Sequence, residues 1–325
     1  MSKNMEIGSE FHYMPPEGGM GISLPRPGSL VFSGRTAIDA VLDKISGAKT
    51  ALLPAYCCDS MIDPFRRRGF GISFYSVEFD GGFKIRFSGN ADILLWCNYF
   101  GFKTEMPDFG GTIIEDITHS LLSDFPCHDK SAFLVASLRK WMPLYCGGYC
   151  SVSVKGYSLP PDSFIKGKSH AMQLKSAYLD DSDISKKQIF LTEFLNTNAR
   201  LAENYHGLLI DPFSEEYIKK ADIDSQRQKR RKNAHVLYTG LEGKVNFLFP
   251  ESAMDCPLFV PVVINNRDCV KKQLASKGIY CPSHWPHPNA DCNSNLYGAE
   301  LSLICDQRYS EDDMQRIVAA INDII

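Results

Sequence analysis

Two short apolar runs, one ending in acids and the next in a lysine, carry the clearest chemistry in this sequence. Thr112–Ile114 is expected to be a buried strand that delivers Glu115 and Asp116 at its end. Ala132–Ser137 is expected to be a second strand, delivering Arg139 and Lys140, and the Gly147–Gly148 pair closes the stretch. Strand side chains alternate, so Asp116 and Glu115 face opposite ways. The carboxyl ends of strands are also where open α/β sheets collect ligands. A carboxylate there keeps a pyridine nitrogen protonated, while an amine on a desolvated stem beside another cation becomes a competent nucleophile and base. A pyridoxal phosphate (PLP) site needs both groups. His119, one helical turn beyond Asp116, is placed to meet the ring oxygen or to lie beside the ring. Ser137, three residues before Lys140, is placed to offer its hydroxyl to a phosphate.

The elements that must position these residues are legible from periodicity. Ser33-Gly34-Arg35-Thr36 precedes an apolar helix over Ala37–Ile45. A hydroxyl, unbonded N–H groups and the positive helix end there make either an ordinary cap or a phosphate cup. Strands are expected at Thr50–Pro54, Gly71–Val77, Ile93–Trp96, Ile113–Glu115 and Phe133–Ala136, with a helix over Asp59–Arg68. Runs this short and apolar suit parallel strands buried on both faces, and strand–helix–strand alternation predicts an α/β fold. Tyr149–Val154 suits a last strand. Ser185 to about Gly240 is helical in character. Val260–Ile264, Cys269–Lys277, Leu301–Ile304 and a final helix capped by Ser310 and Asp313 predict a small α+β domain. The expected division is an N-terminal arm over 1–30, rich in Gly and Pro, a large α/β domain over 31–205, and connecting helices plus the small domain over 206–325.

Bulk properties narrow the partners. With 325 residues, 44% hydrophobic and 22% charged, the composition is that of a globular enzyme-sized chain. A net charge of −3 gives no footprint for nucleic acid or an anionic membrane. The basic run Arg227–Lys232 sits among Asp222, Asp224 and Glu242 and reads as a solvated helix face. No apolar run is long enough to span a bilayer, and the N-terminus has no signal-peptide core. Eleven cysteines, an odd number without metal spacing, suggest reduced thiols and a cytoplasmic setting. Cys281, His284, His287 and Cys292 could be combined into a zinc site, but Pro282, Pro286 and Pro288 argue against regular ligand geometry, so no metal is expected.

Four segments in order give the chain a resemblance to the DegT/StrS group of sugar aminotransferases, within the fold-type I PLP enzymes. SGRTAI (33–38) resembles the phosphate segment of that group. LPAYCCDSMIDPFRRRGFGISFYSVEFD (53–80) resembles its strand–helix–strand unit. IIEDITHS (113–120) resembles its EDAAQS segment, and LRKWMPLYCGGY (138–149) its lysine segment. The resemblance implies an aspartate aminotransferase-like large domain and a small C-terminal domain, with Lys140 and Asp116 catalytic. It places Ser33, Gly34, Arg35, Thr36 and Ser137 around the cofactor phosphate and His119 near the ring. The family's ring-stacking aromatic aligns with Cys58, so Tyr56, on the same side of an extended segment, is the expected substitute. CNYFGF (97–102) puts Asn98 and Tyr99 near cofactor or substrate, and GIYCPSHWPHP (278–288) puts His284 and Trp285 there. The implied reaction transfers an amino group from an amino acid donor to a nucleotide-linked keto-sugar, in a homodimer. Position 135 is Val where the family carries its phosphate serine, and the family's N-x-R-M segment is missing. Two alternatives follow: a dehydratase or lyase on the same fold, which would ordinarily carry His in place of Lys140, and a non-catalytic sensor or assembly protein that retains the fold.

Overall fold

The computed structural model describes residues 6–16, 18–102 and 104–325. In chain order the first half contains β1 (Ile7–Gly8), β2 (Ser29–Val31), α1 (Gly34–Leu42), β3 (Thr50–Pro54), α2 (Asp59–Arg67), β4 (Gly71–Phe79), β5 (Phe83–Arg86), β6 (Ile93–Cys97), β7 (Thr112–Asp116), β8 (Phe133–Ser137) and β9 (Gly148–Cys150). Four helices follow: α3 (Asp162–Asp181), α4 (Ile184–Glu203), α5 (Pro212–Lys220) and α6 (Ile223–Leu241). The last stretch holds β10 (Asn246–Phe247), β11 (Val260–Val263), α7 (Arg267–Ser276), β12 (Ile279–Tyr280), β13 (Glu300–Leu303) and α8 (Glu311–Ile324). The fold class is α/β with a mostly parallel central sheet, as the strand–helix–strand alternation predicts. No helix among the described residues is long and apolar enough to cross a membrane.

The described residues group into two compact units, each built from segments distant in sequence. Among the described residues, the first unit joins Glu6–Ser9 with Ala48–Ala132 and Asp224–Ile325, and the second joins Glu10–Gly47 with Phe133–Ile223. Each recruits strands distant in sequence: β1 runs parallel to β12 in the first, and β2 antiparallel to β9 in the second.

In the first unit the strands run in the order β7-β6-β3-β4-β5, the first four parallel and β5 folded back on β4. Every residue of β6 is buried, which is why ILLWC reads as an uninterrupted apolar run rather than an alternating one. A three-stranded antiparallel sheet, β10-β11-β13, lies in the same unit. Helix α8 starts with the capping box expected of Ser310 and Asp313, and it buries Met314, Ile317, Val318 and Ile321 at helical spacing.

In the second unit β9 pairs antiparallel with both β2 and β8. An aromatic core of Tyr145, Met172, Phe190 and Phe194 joins α3 and α4. The arm expected over 1–30 is part of this packing, although residues 1–5 and 17 lie outside the described residues. Tyr13 packs on that core and donates its N–H to the Met172 carbonyl at 3.0 Å, and the Gly19 and Gly21 N–H groups bond the carbonyls of Lys220 and Ala221 at 2.8 and 3.0 Å.

Six elements escape sequence reading: β1, β2, β5, α3, β10 and β12. Helix α3 hides because two lysines on its buried face, Lys168 and Lys175, are seven residues apart and mimic a solvated stripe. The strand expected over Tyr149–Val154 shortens to Gly148–Cys150.

Candidate active site

Helix α1 starts at Gly34, three residues before the expected Ala37, so the SGRT segment forms its first turn. Ser33 is the cap, its hydroxyl accepting the Thr36 N–H at 3.2 Å. Thr36 Oγ1 donates to the Tyr205 carbonyl at 2.9 Å, so the 3.0 Å contact between the two hydroxyls is Ser33 donating to Thr36. Both hydroxyl protons are therefore committed within the protein. What this turn offers an anion is the positive end of the helix and the Gly34 N–H of its first turn. The surroundings are tight. A Cβ added to Gly34 would stand 3.3 Å from the Ser137 Cβ, and one added to Gly148 would stand 2.2 Å from the Ser33 carbonyl oxygen. A helix start, the end of β8 and the start of β9 thus meet in close contact.

Lys140 closes a 3-10 turn, Leu138–Lys140, that follows β8 directly. It is half-buried, and Leu138, Trp141 and Met142 beside it in sequence are fully buried. Its neighbour Arg139 lies within electrostatic reach of Glu10, a residue without sequence signal. Glu10 receives Lys168 Nζ at 3.2 Å and Asn198 Nδ2 at 3.0 Å, and its backbone carbonyl receives Lys175 Nζ. Burial alone would raise the Glu10 carboxyl, but Lys168, Arg139 and Asn198 outweigh it and hold the pKa at about 2.

In the first unit Asp116 ends β7, buried, with Oδ1 accepting the Thr118 N–H at 2.8 Å. Glu115 faces the other way, as alternation requires. It is fully buried and receives His128 N–H at 2.9 Å, His128 Nδ1 at 2.8 Å, Asn98 Nδ2 at 2.9 Å and the Ser131 hydroxyl. Asn98 also gives that amide nitrogen to Ser120 Oγ at 2.7 Å and the Pro126 carbonyl at 3.1 Å. Its amide nitrogen thus clamps the Glu115 cage.

The other aromatic and imidazole positions singled out in this unit do converge. His119, buried, accepts the Phe100 N–H on Nδ1 at 3.1 Å, so a neutral ring carries its proton on Nε2. The turn that aims this N–H has positive φ at Phe100 (56°) and Gly101 (87°). A Cβ on Gly101 would lie 1.9 Å from the Cys256 carbonyl oxygen, so only glycine fits. His119 stacks on Trp285 with centroids 5.6 Å apart and meets the His284 ring edge-on at 5.7 Å. Tyr56 lies parallel to Tyr99 at 6.1 Å and is flanked by Trp285 and Tyr297 at 5.1 and 5.2 Å. Tyr99 is fully buried and donates its hydroxyl to the Tyr56 carbonyl at 2.6 Å. Tyr56 is thus walled in by the rings of Tyr99, Trp285 and Tyr297.

Glu300, at the start of β13, is the main residue missed. Oε2 accepts the His284 N–H at 2.7 Å, Oε1 accepts the Ser302 hydroxyl, and Ser302 Oγ lies 2.7 Å from His284 Nδ1. The buried Tyr56 phenol faces this carboxyl without a hydrogen bond of ordinary geometry. Burial raises the Glu300 pKa to about 7, against the smaller lowering effects of Ser302, the His284 N–H and Arg267. Among the described residues no group of three or more His, Cys, Asp or Glu side chains is arranged to hold a metal ion.

The mostly parallel α/β sheet and its helices form the fold seen in solved sugar aminotransferases and in a DegT/DnrJ/EryC1/StrS aminotransferase. Three solved structures share it at low identity. The sugar aminotransferase CalS13 from Micromonospora echinospora has a TM-score of 0.60 at 13% identity, over 91% of this chain and 86% of that one. DesI in the presence of its TDP-sugar product has 0.60 at 11%, over 97% and 94%. Spr1654 from Streptococcus pneumoniae in its PLP form has 0.62 at 11%, over 98% and 94%. No protein-family profile and no curated protein matches the sequence.

Proposed function

We propose that this chain is a PLP-dependent aminotransferase that moves an amino group from an amino acid donor to a nucleotide-linked keto-sugar. The observation that carries the proposal is the placement of Asp116 at the end of β7 and Lys140 in the turn after β8, on a fold shared along nearly the whole chain with sugar aminotransferases. The residues fit the cofactor: the start of α1 turns the positive end of its dipole toward a phosphate, and the buried Asp116 carboxylate suits a protonated ring nitrogen. When bound, PLP supplies an electron sink for charge developing at the substrate α-carbon.

The chain's own residues do the rest. The Asp116 carboxylate holds the proton on the ring nitrogen. Lys140 Nζ holds the cofactor and, once released, moves the proton at the α-carbon. The start of α1, with Ser33, Gly34, Arg35 and Thr36, would hold the phosphate together with Ser137, and His119 would lie near the ring. His284 and Trp285 stand with His119 on the substrate side. Tyr56, Tyr99 and Asn98 act behind them as packing. A cytoplasmic homodimer is part of the proposal.

Spectroscopy tests it. Purified protein incubated with PLP should develop a visible band, absent in Lys140→Ala. A screen of amino acid donors should convert that band to the pyridoxamine form, which a keto-sugar then reverses. No band in wild type ends the proposal. A band that no donor converts would favour a sensor that keeps the cofactor without the reaction.

A further inference from the structure

Glu300 and Ser302 are two residues apart on β13 and therefore project from the same face, toward the loop that carries His284. The contacts form a single file: Glu300 Oε1, Ser302 Oγ, His284 Nδ1. The Ser302 hydroxyl has only one proton, so its bond to one neighbour sets what the other must do. While Glu300 is a carboxylate, Ser302 donates to it, and His284 must donate Nδ1–H to Ser302, leaving the lone pair on Nε2. When Glu300 is protonated, its O–H can donate to Ser302, Ser302 donates to Nδ1, and the ring proton sits on Nε2.

We infer that Glu300, acting through Ser302, sets which nitrogen of His284 carries the proton and makes His284 a proton-exchanging group of the candidate site. The step balances. A proton taken up at Nε2 sends Nδ1–H to the Ser302 oxygen, and the original Ser302 proton passes to Glu300 Oε1, with no other bond changed. Return reverses each transfer. The His284 ring lies against His119 and Trp285, so protons exchanged there belong to the substrate side. Use of the relay in turnover rests on the proposed aminotransferase reaction, whereas the relay itself does not.

The environment favours an ionisation within the working range. Glu300 is fully buried, and its bonded donors, a hydroxyl and a backbone N–H, are neutral. The nearby cation, Arg267 on α7, directs its guanidinium to the carbonyls of Glu300 and Tyr297 at 2.8 Å each and to Asp268. Tyr56 and Cys281 also face the carboxyl, and both are held neutral by burial. Lys271 is turned to Ser283 Oγ at 3.2 Å. Burial then leaves Glu300 to titrate at about 7.

The test is two-bond proton–nitrogen correlation NMR on full-length protein labelled in its eight histidines, recorded without PLP and with it. His284 should change from the Nε2–H to the Nδ1–H pattern as pH rises from about 6 to about 8. Glu300→Gln should abolish the step, and Ser302→Ala should uncouple His284 from it, with far-UV circular dichroism checking that each variant is folded. A wild-type His284 with one tautomer throughout, or an unchanged step in folded Glu300→Gln, overturns the relay. Because the NMR step needs no cofactor, failure to bind PLP would sink the aminotransferase proposal and leave the relay standing.

Discussion

Replacing Glu300 by Gln should change how stability depends on pH, with a defined sign. The buried carboxyl has its pKa raised from 4.5 to about 7. Between those values the folded chain holds a proton that the unfolded chain has lost, so stability falls as pH rises through the window and the cost is complete above it. At about 1.4 kcal/mol per pH unit, the shift amounts to about 3 kcal/mol. Gln has nearly the same shape, keeps an acceptor for the His284 N–H, offers Ser302 an amide partner and never ionises. The variant should therefore match wild type near about pH 5 and exceed it by about 3 kcal/mol near about pH 8. With an unfolding entropy of about 2.1 cal/mol/K per residue, that is about 5 °C in apparent Tm for a chain of 325 residues. Paired thermal melts of the two proteins across this pH range read the gap directly. A gap that stays constant, or one that favours wild type increasingly as pH rises, would refute the reasoning.

Other perturbations have equally definite outcomes. Glu115→Ala strands the donors of His128, Ser131 and Asn98 in a buried cage and should cost about 3–5 kcal/mol, measured by denaturant titration, with Glu115→Gln milder. Gly148→Ala drives a Cβ into the Ser33 carbonyl and should lower stability by about 1–3 kcal/mol and weaken PLP binding, both measurable on one preparation. Glu10 is held at about 2, so its stabilising contribution is present above about 4.5 and lost as pH falls toward about 2. An acid titration should therefore show Glu10→Gln losing less stability than wild type over that window. Asp116→Asn should leave folding intact while slowing the conversion of bound PLP by amino donors, followed by stopped-flow absorbance.

Much of the scaffold was legible because its strands are of the kind that announce themselves. β3 falls where TALLP places it, and β6, β7 and β8 differ from expectation by a residue or two at their ends. Asp116 and Lys140 were readable because each closes such a run. Residues that contradict their usual surroundings stayed hidden. Lys168 and Lys175 are buried beneath Glu10, so helix α3 carries no clean apolar stripe. In ELSL, Glu300 and Ser302 read as the solvent face of a half-exposed strand, yet every residue of β13 is buried. The burial and hydrogen bonding of Tyr56, Tyr99 and Asn98 are properties of long-range packing, which periodicity does not encode.

The most direct measurement of the central claim is chemical. Protein incubated with PLP is reduced with borohydride, digested and sequenced by mass spectrometry. The phosphopyridoxyl group should lie on Lys140 and be absent from the Lys140→Ala protein. An adduct confined to another lysine, such as Lys168 or Lys175, or no adduct at all, would contradict the assignment of Lys140 and the function built on it.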